Sequence, residues 1–120
     1  MKIVITAQGN TLESAVDPRF GRAKNFIVFD TDTKKFSVEN NSQNLNAAQG
    51  AGIQAAQNVI DAGAEVVVTG HCGPKAFHVL NTGKVKIVTG AKGSVQDAIN
   101  DFLNDKLEAA DSADVEGHWT

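Results

Sequence analysis

The sequence feature that most constrains the fold is residues 65–78, where a run of valines leads through a glycine-bordered loop into a helix start. Val66–Val68 is an uninterrupted β-branched run, which is typical of a strand covered on both faces. Pro74 favours the first turn of a helix, so residues 70–73 form the loop that joins strand to helix. In open α/β sheets, ligands usually bind at the carboxyl ends of the strands, and we therefore place the centre of the candidate site in this loop.

The loop and the helical turn after it contain side chains suited to holding a ligand. Gly70 and Gly73 would let a ligand approach the main chain closely, while His71 and Cys72 are the most versatile donor side chains in the protein. With Lys75 in the first helical turn, the same loop is suited to phosphate or a molybdate-like oxyanion. The full GxxxxGK[ST] spacing is absent, so nucleotide hydrolysis is not predicted.

A second candidate element is the compact turn at residues 17–22, with the sequence Asp-Pro-Arg-Phe-Gly-Arg. Arg19 and Arg22 carry planar guanidinium groups that suit carboxylates, phosphates and other oxyanions. The alternative interpretation is structural, with Asp17 paired to one of the two arginines.

Cys72 and the histidines also raise the question of a metal centre. A Cys72 thiolate with the imidazole of His71, His78 or His118 would supply donors of the kind that hold iron-sulfur, copper or zinc centres. The chain has no CxxC or HxxxH pair, so an open site completed by an exogenous cluster fits better than a closed zinc site. The alternatives are a buried, inert Cys72, a solvated His78 and a His118 that belongs only to the tail. A nucleophilic pair of Cys72 with His71 is weakly supported, because sequence neighbours commonly point apart.

The order of elements predicts an α/β fold with a mixed five-stranded sheet and three helices. Strands are predicted at residues 2–6, 25–31, 35–40, 66–68 and 85–89, and helices at 47–62, 74–81 and from 95 onward. Asn46 with Gln49, and Ser94 with Asp97, have the spacing of helix capping boxes. Three meandering strands followed by right-handed crossovers place the first strand between the hairpin and the later parallel strands, which is the ribonuclease H-like arrangement.

Composition sets limits on the class of protein. The 120 residues suit one domain at 1–107, followed by a mobile acidic tail at 108–120. A single cysteine and a start without signal-peptide features predict a cytoplasmic protein, and no apolar run is long enough to span a membrane. The net charge of −3, without any Lys/Arg block, argues against a nucleic-acid partner. Nuclease chemistry is not predicted, because the first strand has no acid and Glu65 lies at the wrong end of the fourth.

Several segments together resemble the dinitrogenase iron-molybdenum cofactor biosynthesis family, which includes NifX and NafY proteins, the C-terminal domain of NifB and small stand-alone members. They cover residues 1 to about 103 and lie at 1–5, 17–23, 50–56, 70–77 with Leu80, and 83–85. The resemblance implies a ribonuclease H-like fold that binds or carries a metal-sulfur cluster or its precursor without catalysing a reaction. One branch of this family, the orange protein, is similar in carrying a mixed molybdenum-copper sulfide cluster.

The first functional hypothesis is therefore a cytoplasmic, non-catalytic carrier for an iron-sulfur or molybdenum-containing cluster, with a delivery or acceptor protein as its partner. Cys72 and His71 would ligate or hydrogen-bond the cluster, and the nearby cations would neutralise its charge. The candidate cofactor-binding residues are Arg19, Arg22, Gly70, His71, Cys72, Gly73 and Lys75. The alternative is a small oxyanion-binding or protein-interaction module without a metal cluster. A hydrolase is a third, residual hypothesis.

Overall fold

The computed structural model describes residues 1–41 and 50–110. In these ranges the elements follow the predicted order, with five strands and three helices. The strands are β1 (Lys2–Ala7), β2 (Asn25–Asp30), β3 (Phe36–Asn40), β4 (Val66–Val68) and β5 (Lys86–Val88), and the helices are α1 (Ala51–Asp61), α2 (Pro74–Thr82) and α3 (Val95–Leu103).

The strands form one mixed sheet in the order β3-β2-β1-β4-β5. β1 runs antiparallel to β2, with Val4 opposite Val28, and parallel to β4, with Val4 beside Val67. Its position between the hairpin and the parallel strands confirms the prediction. β1 can occupy the centre because residues 3–7 are apolar except for one threonine, and all of them are buried.

Helices cover both faces of the sheet, so each face has its own core. On one face Val67 packs in a cluster with Val59 of α1 and Leu80 of α2. On the other face Val68 packs with Ile99 of α3. Alternation along the strands directs neighbouring valines to opposite cores, and burial of each such side chain contributes about 1.5–3 kcal/mol.

One prediction about α1 is wrong. The spacing of Ile53, Ala56, Val59 and Ile60 predicts that they form the core stripe of the helix at 47–62, but Ile53 is 43% exposed. The helix instead packs through a stripe of small residues, and its buried positions are Ala51, Gly52, Ala55, Ala56 and Val59. Small side chains let the start of the helix approach a neighbouring loop closely, which turns Ile53 to the outside. The predicted helix start near residue 47, with its Asn46 and Gln49 cap, lies outside the described residues.

The start of α3 was predicted correctly. Ser94 Oγ accepts a hydrogen bond from the Asp97 backbone N–H at 3.0 Å, and Asp97 Oδ2 accepts one from the Ser94 N–H at 3.1 Å. This reciprocal capping box satisfies backbone donors that have no partner within the helix.

The chain returns to the edge of β5 after α3. Ala109 forms a bridge with Val88, and the Ala110 N–H donates to the Ile87 carbonyl at 2.8 Å. These residues fall in the predicted tail, 108–120, so its first part contacts the sheet. The remainder, with His118, lies outside the described residues. No helix in the described ranges is long and apolar enough to cross a bilayer.

Candidate metal-cluster site

The loop after β4 is held at the carboxyl edge of the sheet by its neighbour after β5. The Thr69 N–H donates to the Val88 carbonyl at 3.0 Å, and the Ala91 N–H donates to the Thr69 carbonyl at 3.1 Å. The Gly90 N–H also donates to the Gly70 carbonyl at 3.0 Å. The loop predicted as the centre of the site is therefore fixed by backbone hydrogen bonds on its β5 side.

The arginine turn binds the other side of this loop. The His71 N–H donates to the Pro18 carbonyl at 2.7 Å, and the Phe20 N–H donates to the His71 carbonyl at 3.2 Å. These two bonds form a parallel bridge that places Arg19 beside His71. The structure thus brings together two segments, some 50 positions apart in the sequence, that were predicted to share a site.

Phe20 anchors the turn in the core. Its ring is 1% exposed and stacks on the ring of Phe26 in β2, with 5.5 Å between ring centroids. Because Phe20 points inward, the residues around it are held at the surface, where Arg19 is exposed and Arg22 is half-buried. The sequence signal for this anchor is a phenylalanine between two arginines, which the prediction did not use.

Asp17 fixes the entrance to the turn. Its Oδ1 accepts a hydrogen bond from the Arg19 backbone N–H at 3.0 Å, and its carbonyl accepts one from Thr6 Oγ1 at 2.7 Å. Thr6 Oγ1 also lies 2.9 Å from Thr69 Oγ1. This buried network joins the ends of β1 and β4 to the turn, so the carboxylate of Asp17 acts on the backbone of the turn.

Two glycines of the site serve backbone packing. A Cβ on Gly70 would lie 2.8 Å from both the Cα and the carbonyl oxygen of Pro18. A Cβ on Gly21 would lie 2.8 Å from the Cα of Gly52 in α1. Gly70 was predicted to let a ligand approach closely, but the turn at 17–22 occupies that space. The same turn also lies against Gly52 at the start of α1.

Two helices begin beside the turn. Gly50 is the N-cap of α1 and Gly73 is the N-cap of α2, and neither helix has a side-chain hydrogen bond at its cap. Backbone N–H groups and the helix dipole make such ends favourable for anions. Lys75 is exposed in the first turn of α2. The start of α1 is not among the predicted site residues, although Gly50 and Gly52, within the first turns of the predicted helix, indicate a close neighbour there.

The Cys72 sulfur does not share the surface with these cations. Cys72 is 1% exposed within the core that contains Phe20 and Leu80, and its Sγ–H lies 3.7 Å from the Gly73 carbonyl oxygen as a weak donor. His71 is exposed, and so is His78 on α2. The structure therefore brings Arg19, His71 and Lys75 to the outside of one loop cluster, while the thiol points into the protein.

No group of three or more histidine, cysteine, aspartate or glutamate side chains suited to a metal ion occurs within residues 1–41 and 50–110. In this part of the chain, holding a metal cluster would therefore depend on charge, backbone N–H groups and few direct ligands.

The chain is similar in sequence and fold to known proteins. An orange protein from Desulfovibrio gigas, solved in its apo form, has a TM-score of 0.93 and is 36% identical over 95% of this chain and 96% of that one. A putative NifB protein from Thermotoga has a TM-score of 0.80 and is 32% identical over 90% of this chain and 91% of its own. An uncharacterised protein of Methanocaldococcus jannaschii is 27% identical over 112 residues, or 90% of each chain. The family model described as dinitrogenase iron-molybdenum cofactor matches residues 1–105. The resemblance predicted from the sequence is confirmed, and the chain belongs to the dinitrogenase iron-molybdenum cofactor family.

Proposed function

We propose that this protein binds and carries a negatively charged iron-sulfur or molybdenum-containing cluster, or a precursor of one, without catalysing a reaction. The observation that carries the proposal is the position of the arginine turn. It is hydrogen-bonded to the loop at 70–73 and packed against the start of α1, so its cations lie near two helix N-termini without side-chain caps. Such a surface stabilises an anion through charge and backbone donors together.

The residues have different roles in this proposal. Arg19, Arg22 and Lys75 neutralise the charge of the cluster, and His71 donates a hydrogen bond or ligates a metal. Gly70 holds the turn against the loop, as its contact with Pro18 indicates. Gly73 is the N-cap of α2, and no side-chain hydrogen bond occupies the N–H groups at the start of that helix.

Ligation of the cluster by Cys72 would require the loop at 70–73 to move. A thiolate can reach an external cluster only if the loop opens, because the residue is 1% exposed. We therefore propose that the cluster is first held by the cations and that Cys72 ligates only after such an opening.

Other features of the proposal rest on sequence as well as structure. The strand order supports the ribonuclease H-like assignment. We also propose a cytoplasmic location and a separate protein that delivers or accepts the cluster. The domain is proposed to be 1–107, as expected from the sequence.

The test is anaerobic reconstitution with iron, sulfide and molybdate, followed by absorption spectroscopy and elemental analysis. Wild-type protein is expected to acquire charge-transfer absorption and bound metal. Arg19→Gln is expected to weaken cluster binding about tenfold or more, because it removes a charge-assisted contact. Lys106→Gln, which removes an exposed cation outside the site, is the matched control and is expected to bind as wild type does.

The Cys72→Ala variant and thiol labelling separate the roles of charge and sulfur. We expect Cys72 in the apo protein to react slowly with a thiol reagent and quickly in urea, because burial limits access. If Cys72→Ala folds and keeps the absorption, the cluster is held without the thiolate. Wild-type protein that stays colourless and metal-free contradicts the proposal, and calorimetric binding of phosphate or molybdate by that protein would favour the oxyanion module instead.

A further inference from the structure

The outer edge of β3 is the part of the sheet that the proposed function leaves unused. β3 is the terminal strand on its side, and all five of its residues are exposed. They include Phe36, which is 42% exposed, and Val38, which is 38% exposed. The opposite edge, on β5, is covered by residues 109 and 110, whereas no described strand pairs with the outer side of β3. An uncovered edge with apolar side chains is a template for pairing with another strand.

The hydrogen-bond pattern shows which groups face this edge. The Asp30 N–H donates to the Lys35 carbonyl at 2.9 Å, and the Asn41 N–H donates to the Lys24 carbonyl at 3.0 Å. These two pairs continue the register between β2 and β3 by one residue at either end. Because bonded and non-bonded pairs alternate in antiparallel sheets, odd-numbered residues of β3 direct their backbone groups toward β2. The N–H and carbonyl groups of Phe36 and Val38 therefore point outward.

We propose that a second copy of this chain pairs with this edge, β3 against β3, antiparallel about a two-fold axis at Ser37. This register places Phe36 opposite Val38 of the other copy and Lys35 opposite Glu39, each pair occurring twice. Phe36 and Val38 are the residues with outward backbone groups, so the two pairs they form provide four backbone hydrogen bonds. The five-stranded sheets would join into one continuous sheet of ten strands.

The side chains match in this register on both faces of the sheet. Phe36 and Val38 lie opposite Phe29 and Ile27 of β2 and so share one face, while Lys35 and Glu39 lie on the other. The two-fold axis thus gives apolar pairs on one face and opposite charges on the other. If the two-fold axis were shifted by one residue to Val38, Phe36 would lie opposite Asn40, and Lys35 would no longer lie opposite Glu39. The match of opposite charges would then be lost.

The expected association is weak. Edge pairing of five residues buries less surface than a stable interface of the usual size, and the ion pairs are exposed to solvent. We therefore expect a reversible dimer whose fraction rises with protein concentration. This inference does not depend on the cluster-carrying function, because none of the candidate cofactor-binding residues lies on β3.

Sedimentation velocity on the full chain, from micromolar to millimolar concentration, tests the proposal. Wild-type protein is expected to shift from monomer to dimer. Lys35→Glu is expected to raise the dissociation constant about tenfold, because it sets glutamates opposite each other twice. The double change Lys35→Glu with Glu39→Lys restores opposite charges and is expected to restore the dimer. Lys106→Glu changes the net charge equally and is the matched control.

Val38→Pro supplies a backbone test. Proline removes an outward N–H, which an edge strand tolerates without losing a bond to β2, and the dimer is expected to disappear. Circular dichroism and urea unfolding of each variant verify that the monomer is folded. A chain that stays monomeric at every concentration overturns the proposal, and so does a dimer that all these variants leave intact.

Discussion

The turn at 17–22 meets residues 70–73 on one side and α1 on the other through glycines at which a side chain would collide with backbone. The environment of Gly70 is set by Pro18, and that of Gly21 by Gly52. Cys72 likewise points into the core. At the scale of single residues, side chains and glycines that are suited to ligands can therefore serve packing, and what remains at the surface of the site is mainly cationic.

Gly70→Ala tests this packing role. The new methyl group would need the Pro18 backbone to move, so we expect the free energy of unfolding to fall by about 1–3 kcal/mol. Urea denaturation measures the change. Gly90→Ala is the comparison, because Gly90 has φ +85° with no atom within 4 Å of a Cβ and incurs only the cost of left-handed backbone, about 1–2 kcal/mol.

The expected result would be contradicted if Gly70→Ala were as stable as wild type. In that case the loop and the turn would separate easily, and the site would not be held together by this contact.

At the scale of elements, hydrogen bonds between residues close in sequence form the hairpin between β2 and β3 and the start of α3. Asp30 stabilises the turn between β2 and β3. Its Oδ1 accepts hydrogen bonds from the Asp32 N–H at 2.8 Å and the Thr33 N–H at 3.3 Å. The box of Ser94 and Asp97 begins α3 in the same local way. Both devices act within four residues, so their signals are visible in the sequence.

Asp30 makes the stability of the hairpin depend on pH. The backbone N–H of Asp32, with that of Thr33, lowers the pKa of Asp30 below its ordinary value of 3.8. Its ionised form therefore contributes stability above that value, and the contribution is lost as pH falls through the folded-state pKa. Asp30→Asn keeps an acceptor oxygen but cannot ionise.

We expect Asp30→Asn to be less stable than wild type at neutral pH and the difference to close in acid. Urea midpoints measured across the acid range provide the check, with Glu108→Gln, at an exposed site, as the charge control. A constant difference at all pH values would show that the loss has a steric origin.

At the scale of the whole molecule, the two edges of the sheet differ. The β5 edge is completed by residues 109 and 110, whose Ala110 packs against the core as well as bonding to Ile87. The β3 edge is open among the described residues, and we propose that a second copy covers it.

Truncation measures the contribution of the β5 cover. A chain ending at Glu108 lacks the Ala110 bond, whereas a chain ending at Ala110 retains it. We expect the shorter chain to be less stable by about 1 kcal/mol, the usual net contribution of one hydrogen bond, with a little more from the lost methyl contact. Urea denaturation of the two truncated chains gives the difference directly. Equal stability would support the predicted boundary at residue 107.

The sequence by itself determined the order of elements, the mixed sheet, the cap of α3 and the two segments that meet at the candidate site. Each has a signal in neighbouring residues, such as the valine run before Gly70 or the spacing of Ser94 and Asp97. Only the tertiary structure decided that Cys72 is buried, that Ile53 is exposed and that Pro18 occupies the space beside Gly70. The physical reason is that burial and close approach depend on partners distant in sequence, which periodicity and propensity do not contain.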